Sequence, residues 1–236
     1  MLIKSACAAA AFLICEAAFS ASSPAVTAAI DLNTASDDQK LSYVLGMEML
    51  ELRARQGFTL DADMVARAIR DEQEKTRPDF SSKEYMATVL LMRERIAAFD
   101  ARWKALGEKN LAEGNAFLQR KASEPGIHST GSGLLYKVIR EGTGERPNLQ
   151  DIARIHYRGT LLNGEEFDSS FKRGKPADFP VGKVKPGLKE VLLLMREGAK
   201  WEFYAPPHLA YGAEGAGSIG PQETLTTQVE LIEILP

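Results

Sequence analysis

Apolar side chains recur at helical spacing along the first half of this chain and at strand spacing along the second. Ser36-Asp37-Asp38-Gln39 has the form of a capping box. Leu41, Val44, Leu45 and Leu52 follow on one helical face, widened by Tyr43, Met47 and Leu50. A stripe this broad on a short helix needs more than one neighbour to cover it, which predicts a dimer through residues of about 36–100. Gln56-Gly57-Phe58 ends the helix. Leu60, Met64, Val65, Ala68 and Ile69 predict a second short amphipathic helix, broken at Thr76-Arg77-Pro78. Ser81-Ser82-Lys83-Glu84 is another capping box, and from there to about Ser123 there is no proline and no glycine besides Gly107 and Gly114. One unbroken helix of about 40 residues would be roughly 60 Å long. Its first half carries Met86, Val89, Leu90, Ile96 and Phe99, whereas its second half is polar (Lys104, Glu108, Lys109, Asn110, Glu113). That half predicts a solvent-crossing spacer sharing little core with the strand-rich residues after it. Two helices with a kink near Gly107 are the alternative.

Glu124-Pro125-Gly126 stops the helical half, and His128 to Gly133 reads as a Ser/Thr/Gly linker. The period then changes to two. Residues 135–139, 153–157, 200–204 and 226–231 read as strands, and glycines from Gly142 to Gly198 fall between them at turn spacing. Helices and strands are segregated, so the fold class is α+β. Its parts are a helical dimerisation domain over 36–80, a long connecting helix over 81–124 and a strand-rich domain with one short helix over 132–236.

Residues 1–20 have a weakly positive start, an apolar run from Cys7 to Cys15 and small residues around Ala18-Phe19-Ser20, the pattern of a secretory signal peptide. A membrane anchor would need roughly 20 apolar residues, about twice this run. Leu13-Ile14 before Cys15 argues against a lipoprotein signal. Residues 21–35 read as a flexible leader. Both cysteines lie in the signal segment, so the mature chain is expected to form no disulfide, thiolate nucleophile or thiolate metal site. The formal net charge of −3 gives no sign of nucleic-acid binding or of a polybasic membrane patch. His128, His156 and His208 are scattered without a metal-ligand pattern, and no metal or organic cofactor is expected.

The chemistry sits in motifs of the strand half. Ser132-Gly133-Leu134-Leu135-Tyr136-Lys137-Val138-Ile139 precedes Glu141-Gly142-Thr143-Gly144. Tyr157-Arg158-Gly159-Thr160-Leu161 is followed by Asn163-Gly164-Glu165-Glu166-Phe167-Asp168-Ser169-Ser170. Pro206-Pro207-His208-Leu209-Ala210-Tyr211-Gly212 and a closing Val229-Glu230-Leu231 complete the set. In this order and spacing they resemble the FKBP-type peptidyl-prolyl cis-trans isomerases over about residues 132–236. Lys40-Leu41-Ser42-Tyr43-Val44-Leu45-Gly46 resembles the N-terminal domain of the family's periplasmic and surface-exposed bacterial subgroup, the Mip and FkpA type.

The resemblance implies an isomerase that assists folding of secreted or envelope proteins. It also implies a V-shaped homodimer, a location in the periplasm or at the outer surface, and proline-containing unfolded or extended polypeptides as substrates. The implied site residues are Tyr157, Phe167, Asp168, Phe179, Val184, Lys185, Leu188, Tyr211, Ile219 and Thr227. Tyr211 would donate to a substrate carbonyl, Asp168 would orient polar atoms at the rim, and Lys185 would contribute its backbone N–H. On composition alone Tyr157, Phe167 and Phe179 read as core residues of a curved sheet, and Asp168 as a turn residue after Gly164.

The chain also departs from the family pattern. In Val184-Lys185-Pro186-Gly187-Leu188 a lysine replaces an apolar residue and a leucine replaces the usual tryptophan, and Thr227 stands where a phenylalanine is common. The loop Ala216-Gly217-Ser218-Ile219-Gly220-Pro221 has one proline where relatives have more. A less aromatic pocket implies weak activity and weak affinity for macrolide ligands. A dimeric chaperone or adhesion module with a weakened isomerase site is the alternative function.

Overall fold

The computed structural model describes residues 32–78 and 81–235. The expected signal peptide and all but the end of the expected leader lie outside them. The chain divides into two compact units, residues 1–47 and 48–236, with the division falling inside the first helix.

Helix α1 spans Asp37–Arg55. Its capping box is reciprocal. The Ser36 N–H donates to Gln39 Oε1 at 2.9 Å and the Gln39 N–H to Ser36 Oγ at 3.2 Å. None of its residues is buried, and Leu41, Leu45, Met47 and Leu52 are each at least half exposed (50–57%). Gly57, at φ +81°, turns the chain out of the helix. Helix α2 spans Ala62–Glu74, capped by Asp61, which accepts from the Met64 N–H at 3.0 Å.

Helix α3 runs from Ser82 to Ala122 as one unbroken helix of 41 residues, so the alternative of two helices kinked near Gly107 is not adopted. Its second half is not the solvent-crossing spacer its polarity predicts. Gly107 and Gly114 are its buried residues, and they seat the helix against residues 213–224. The Trp103 Nε1–H donates to the Ala213 carbonyl at 3.1 Å, and Asn110 Nδ2 to the Pro221 carbonyl at 2.8 Å. The Phe117 ring meets Tyr204 edge-on at 5.5 Å. Lys104, Glu108, Lys109 and Glu113 stay exposed beside this seat, while Asn110 is part of it.

Seven strands form one antiparallel sheet: β1 (Ile127–Ser129), β2 (Leu135–Arg140), β3 (Ile152–Thr160), β4 (Glu166–Ser169), β5 (Ala177–Pro180), β6 (Lys200–Ala205) and β7 (Leu225–Leu235). The order is β1-β2-β6-β7-β3-β4. β5 shares with β4 the edge of β3 that faces away from β7. Ile127 to Ser129 pairs with β2, so His128 and Ser129 of the expected linker belong to a strand. Helix α4 (Pro186–Leu194) starts on Pro186, where a missing N–H costs nothing, and buries Val191 and Leu192 against the sheet. The core they join holds Leu134, Ile155, Phe203, Val229 and Leu231, all 3% exposed or less. Trp201, expected as a core aromatic, is buried and stacks on Tyr136 at 4.5 Å. Among the described residues no helix is long and apolar enough to cross a membrane.

Candidate functional site

An open cavity of about 440 Å³ lies between the sheet and α4. Alternation along the strands builds its walls. Tyr157 on β3 projects into it, while its neighbour His156 turns the other way, bonding Ser170 Oγ at 2.9 Å and stacking on Phe171. Phe167 and Asp168 come from β4, Phe179 from β5 and Thr227 from β7. Val184 and Lys185 come from the segment leading into α4, Leu188 from α4 itself, and Tyr211 from the loop after β6. The tip of the Phe167 ring abuts bare backbone: a Cβ at Gly159 would stand 2.3 Å from its Cζ, so that position accepts no side chain.

Nine of the ten residues singled out from the sequence thus line one cavity. Ile219 does not. It is buried with Leu161 and Leu225, and Phe167 and Tyr211 pack against that cluster from the cavity side. The lining also includes Phe203, Ala205, Leu209, Leu225 and Lys183, which sequence reasoning missed. Alternation gave a signal for two of them: Phe203 and Ala205 share one face of β6 with Trp201, although Tyr204 on the other face is buried as well.

Arg173 is the other missed residue. The Tyr157 hydroxyl donates to one Asp168 carboxylate oxygen and the Arg173 guanidinium to the other, while a second guanidinium nitrogen reaches the Tyr157 oxygen at 2.6 Å. Burial alone would raise the Asp168 carboxyl, but the Tyr157 and Arg173 hydrogen bonds and the arginine charge outweigh it and hold it below the usual carboxylate range. Burial, then the Asp168 bond, pushes the Tyr157 hydroxyl above its ordinary value. Burial, helped by the Asp168 charge, does the same for Tyr211. Both phenols therefore stay protonated at neutral pH, and Tyr211 remains a hydrogen-bond donor.

The arrangement offers an apolar, aromatic-walled slot, the Tyr211 hydroxyl as a donor and one locked carboxylate. It holds no candidate nucleophile aligned with a base. No group of three or more potential metal ligands occurs among the described residues, and His128, His156 and His208 stay apart: His128 stacks on Tyr136, and His208 Nε2 lies 3.0 Å from the Ser132 carbonyl.

Comparison with known proteins supports the same picture. A family described as "FKBP-type peptidyl-prolyl cis-trans isomerase" matches residues 143–232, and one described as "Domain amino terminal to FKBP-type peptidyl-prolyl isomerase" matches residues 38–138. The chain is 39% identical over 213 residues to the outer membrane protein MIP of Legionella longbeachae, covering 89% of this chain and 90% of that one. It is 36% identical over 216 residues to the peptidyl-prolyl cis-trans isomerase Mip of Coxiella burnetii, covering 88% and 90%. The crystal structure of FkpA from Escherichia coli superposes with a TM-score of 0.62 at 32% identity, covering 85% of this chain and 98% of that one.

Proposed function

This chain belongs to the FKBP-type peptidyl-prolyl cis-trans isomerases, in the Mip and FkpA group, and we propose that it turns X–Pro bonds in the cavity between the sheet and α4. The observation that carries the assignment is an apolar, aromatic-walled slot whose only lining carboxylate is already bonded to Tyr157 and Arg173.

X–Pro isomerisation unaided takes tens to hundreds of seconds. The barrier is amide resonance, lost as the C–N bond twists. No proton transfer or covalent intermediate is required. Phe167, Phe179, Tyr157 and Leu188 hold the proline ring and strip water from the preceding carbonyl. The twisted amide is less polar than the planar one, so an apolar wall favours it over the ground state, which is the condition for catalysis. Tyr211 donates to a substrate carbonyl, and the backbone N–H of Lys185 fixes the peptide's direction. Asp168 with Arg173 keeps Tyr157 facing the slot.

The biological setting we infer is folding of exported proteins, by a homodimer joined through its helical half and delivered across the inner membrane by residues 1–20. The exposed apolar face of α1 supports the dimer. The name of the Legionella longbeachae relative supports an envelope location. Macrolides of the family's ligand class are expected to bind weakly, because Leu188 offers no indole for them to rest on. A dimeric chaperone or adhesion module with a weakened isomerase site is the second reading, favoured by Lys185, Leu188 and Thr227 in the lining.

A proline-limited refolding assay tests the assignment. The full chain should accelerate refolding, and Phe179→Ala or Tyr211→Phe should lower kcat/KM by roughly tenfold, the value of one lost packing or hydrogen-bond contact. Unchanged rates in both variants would move the site elsewhere. A full chain with no acceleration would favour the chaperone reading.

A further inference from the structure

One wall of the cavity is far more positive than the chain as a whole. From Lys172 to Lys189 there are six lysines and arginines against one acidic residue, Asp178, in a chain of formal net charge −3. Asp178 is itself paired with Arg154 at 2.8 Å. Two of those cations, Lys183 and Lys185, line the cavity and are exposed. Neither is held in an ion pair among the described residues, whereas Lys172 and Arg173 in the same stretch are bound to Glu166 and Asp168. The Lys185 ammonium instead stands 4.6 Å from the centre of the Tyr211 ring, held at the rim by cation–π attraction. The cavity's own carboxylate is engaged with Tyr157 and Arg173 and cannot answer it.

We propose that Lys185, with Lys183 beside it, makes this site selective for X–Pro bonds that have an aspartate or glutamate next to the proline. The proposal rests on the cavity being the isomerase site. A proline ring held in the apolar slot leaves the flanking side chains at the rim, within reach of a lysine. A carboxylate there meets an ammonium with no competing counter-ion, and a basic flanking residue meets like charge. Each exposed ion pair changes affinity by about two- to fivefold. Part of any gain appears in the encounter rate, which salt screens.

The test uses the full chain and two series of short peptides, varying the residue before the proline in one and after it in the other. Glutamate, glutamine and lysine occupy the varied position, and kcat/KM is measured at about 0.02 M and about 0.5 M salt. In at least one series glutamate should exceed lysine by about fivefold or more at low salt, with glutamine between and the spread narrowing at high salt. Lys185→Met and Lys183→Met should each shrink the glutamate-to-lysine ratio, and the double variant should bring it near one. The ratio is taken within one protein, so a general loss of activity or stability leaves it unmoved. A ratio near one in the native chain while glutamine peptides are turned over overturns the selectivity and leaves the isomerase site standing. A ratio that survives in the double variant removes the lysines from the explanation. No acceleration of any peptide removes the site itself.

Discussion

Asp168 sits where burial favours the neutral acid, yet the hydroxyl of Tyr157 and the guanidinium of Arg173 keep it ionised. A carboxyl whose native pKa is depressed adds stability above its unfolded value, about 3.9, and loses it as pH falls through the native value. The stability gap between native protein and Asp168→Asn, measured by urea unfolding, should therefore be constant from about pH 8 to pH 5 and close below about pH 4. A gap that widens in acid would contradict the assignment of charge. Phe203 adds a second residue-scale expectation. Only 3% exposed, it already brings a ring to the cavity that Leu188 lines without one. An indole at 188 would compete with it for volume. Leu188→Trp should raise kcat/KM by about fivefold when Phe203 is first reduced to leucine, and by less in the native background; strictly additive effects would show that the two positions do not share a space. Tyr157, Phe167 and Tyr211 were legible because they stand in motifs of fixed spacing, and Phe179 followed from the family resemblance those motifs carry. Arg173 and Phe203 were not: an arginine in a basic stretch and a phenylalanine in a core strand look ordinary until folding carries the one to a carboxylate and the other to a cavity wall.

The stripe on α3 that meets residues 213–224 and Tyr204 reads Trp103, Gly107, Asn110, Gly114 and Phe117, spaced four and three residues apart as one helical face requires. It was written in the sequence, but its three middle positions, Gly107, Asn110 and Gly114, carry no apolar side chain. Close approach here depends on absent side chains, and a count of hydrophobic positions passes over glycine. The two glycines are not equivalent. An added Cβ at Gly107 would meet Gln222 and Pro221 at 3.4 Å, an ordinary contact, whereas at Gly114 it would lie 2.2 Å from the buried Thr224 hydroxyl. Gly107→Ala should thus be neutral or stabilising by up to about 1 kcal/mol, since alanine is the better helix former. Gly114→Ala should cost about 1–2 kcal/mol, because overpacking outweighs the helix gain. Thermal unfolding of the two variants decides it; equal shifts would mean the helix does not sit on that loop. The longer strands were legible through their alternation. β1, β4 and β5, three or four residues each, are too short to show a period, and β1 lay in a stretch rich in Ser, Thr and Gly.

At the scale of the molecule, α1 leaves apolar side chains uncovered along its length, and Tyr85, Met86 and Leu90 at the start of α3 are about half exposed. Exposed apolar area beyond a few hundred Å² marks an interaction surface. Sedimentation of the chain from residue 21 onward should give a dimer at micromolar concentration, and substituting Leu41 and Leu45 by glutamate should give monomers that retain isomerase activity on short peptides. A native monomer would leave that face to another partner. The seat of α3 bears on how a protein of this design can change over generations. Two contact points seven residues apart fix both the azimuth and the position of the helix between them. Adding one residue between Gly107 and Gly114 rotates one point away from the loop by about 100°. Adding one ahead of Trp103 leaves the seat whole and only re-aims what lies upstream. A single continuous helix therefore has one half whose length is free to drift among descendants and one half in which insertions and deletions are purged.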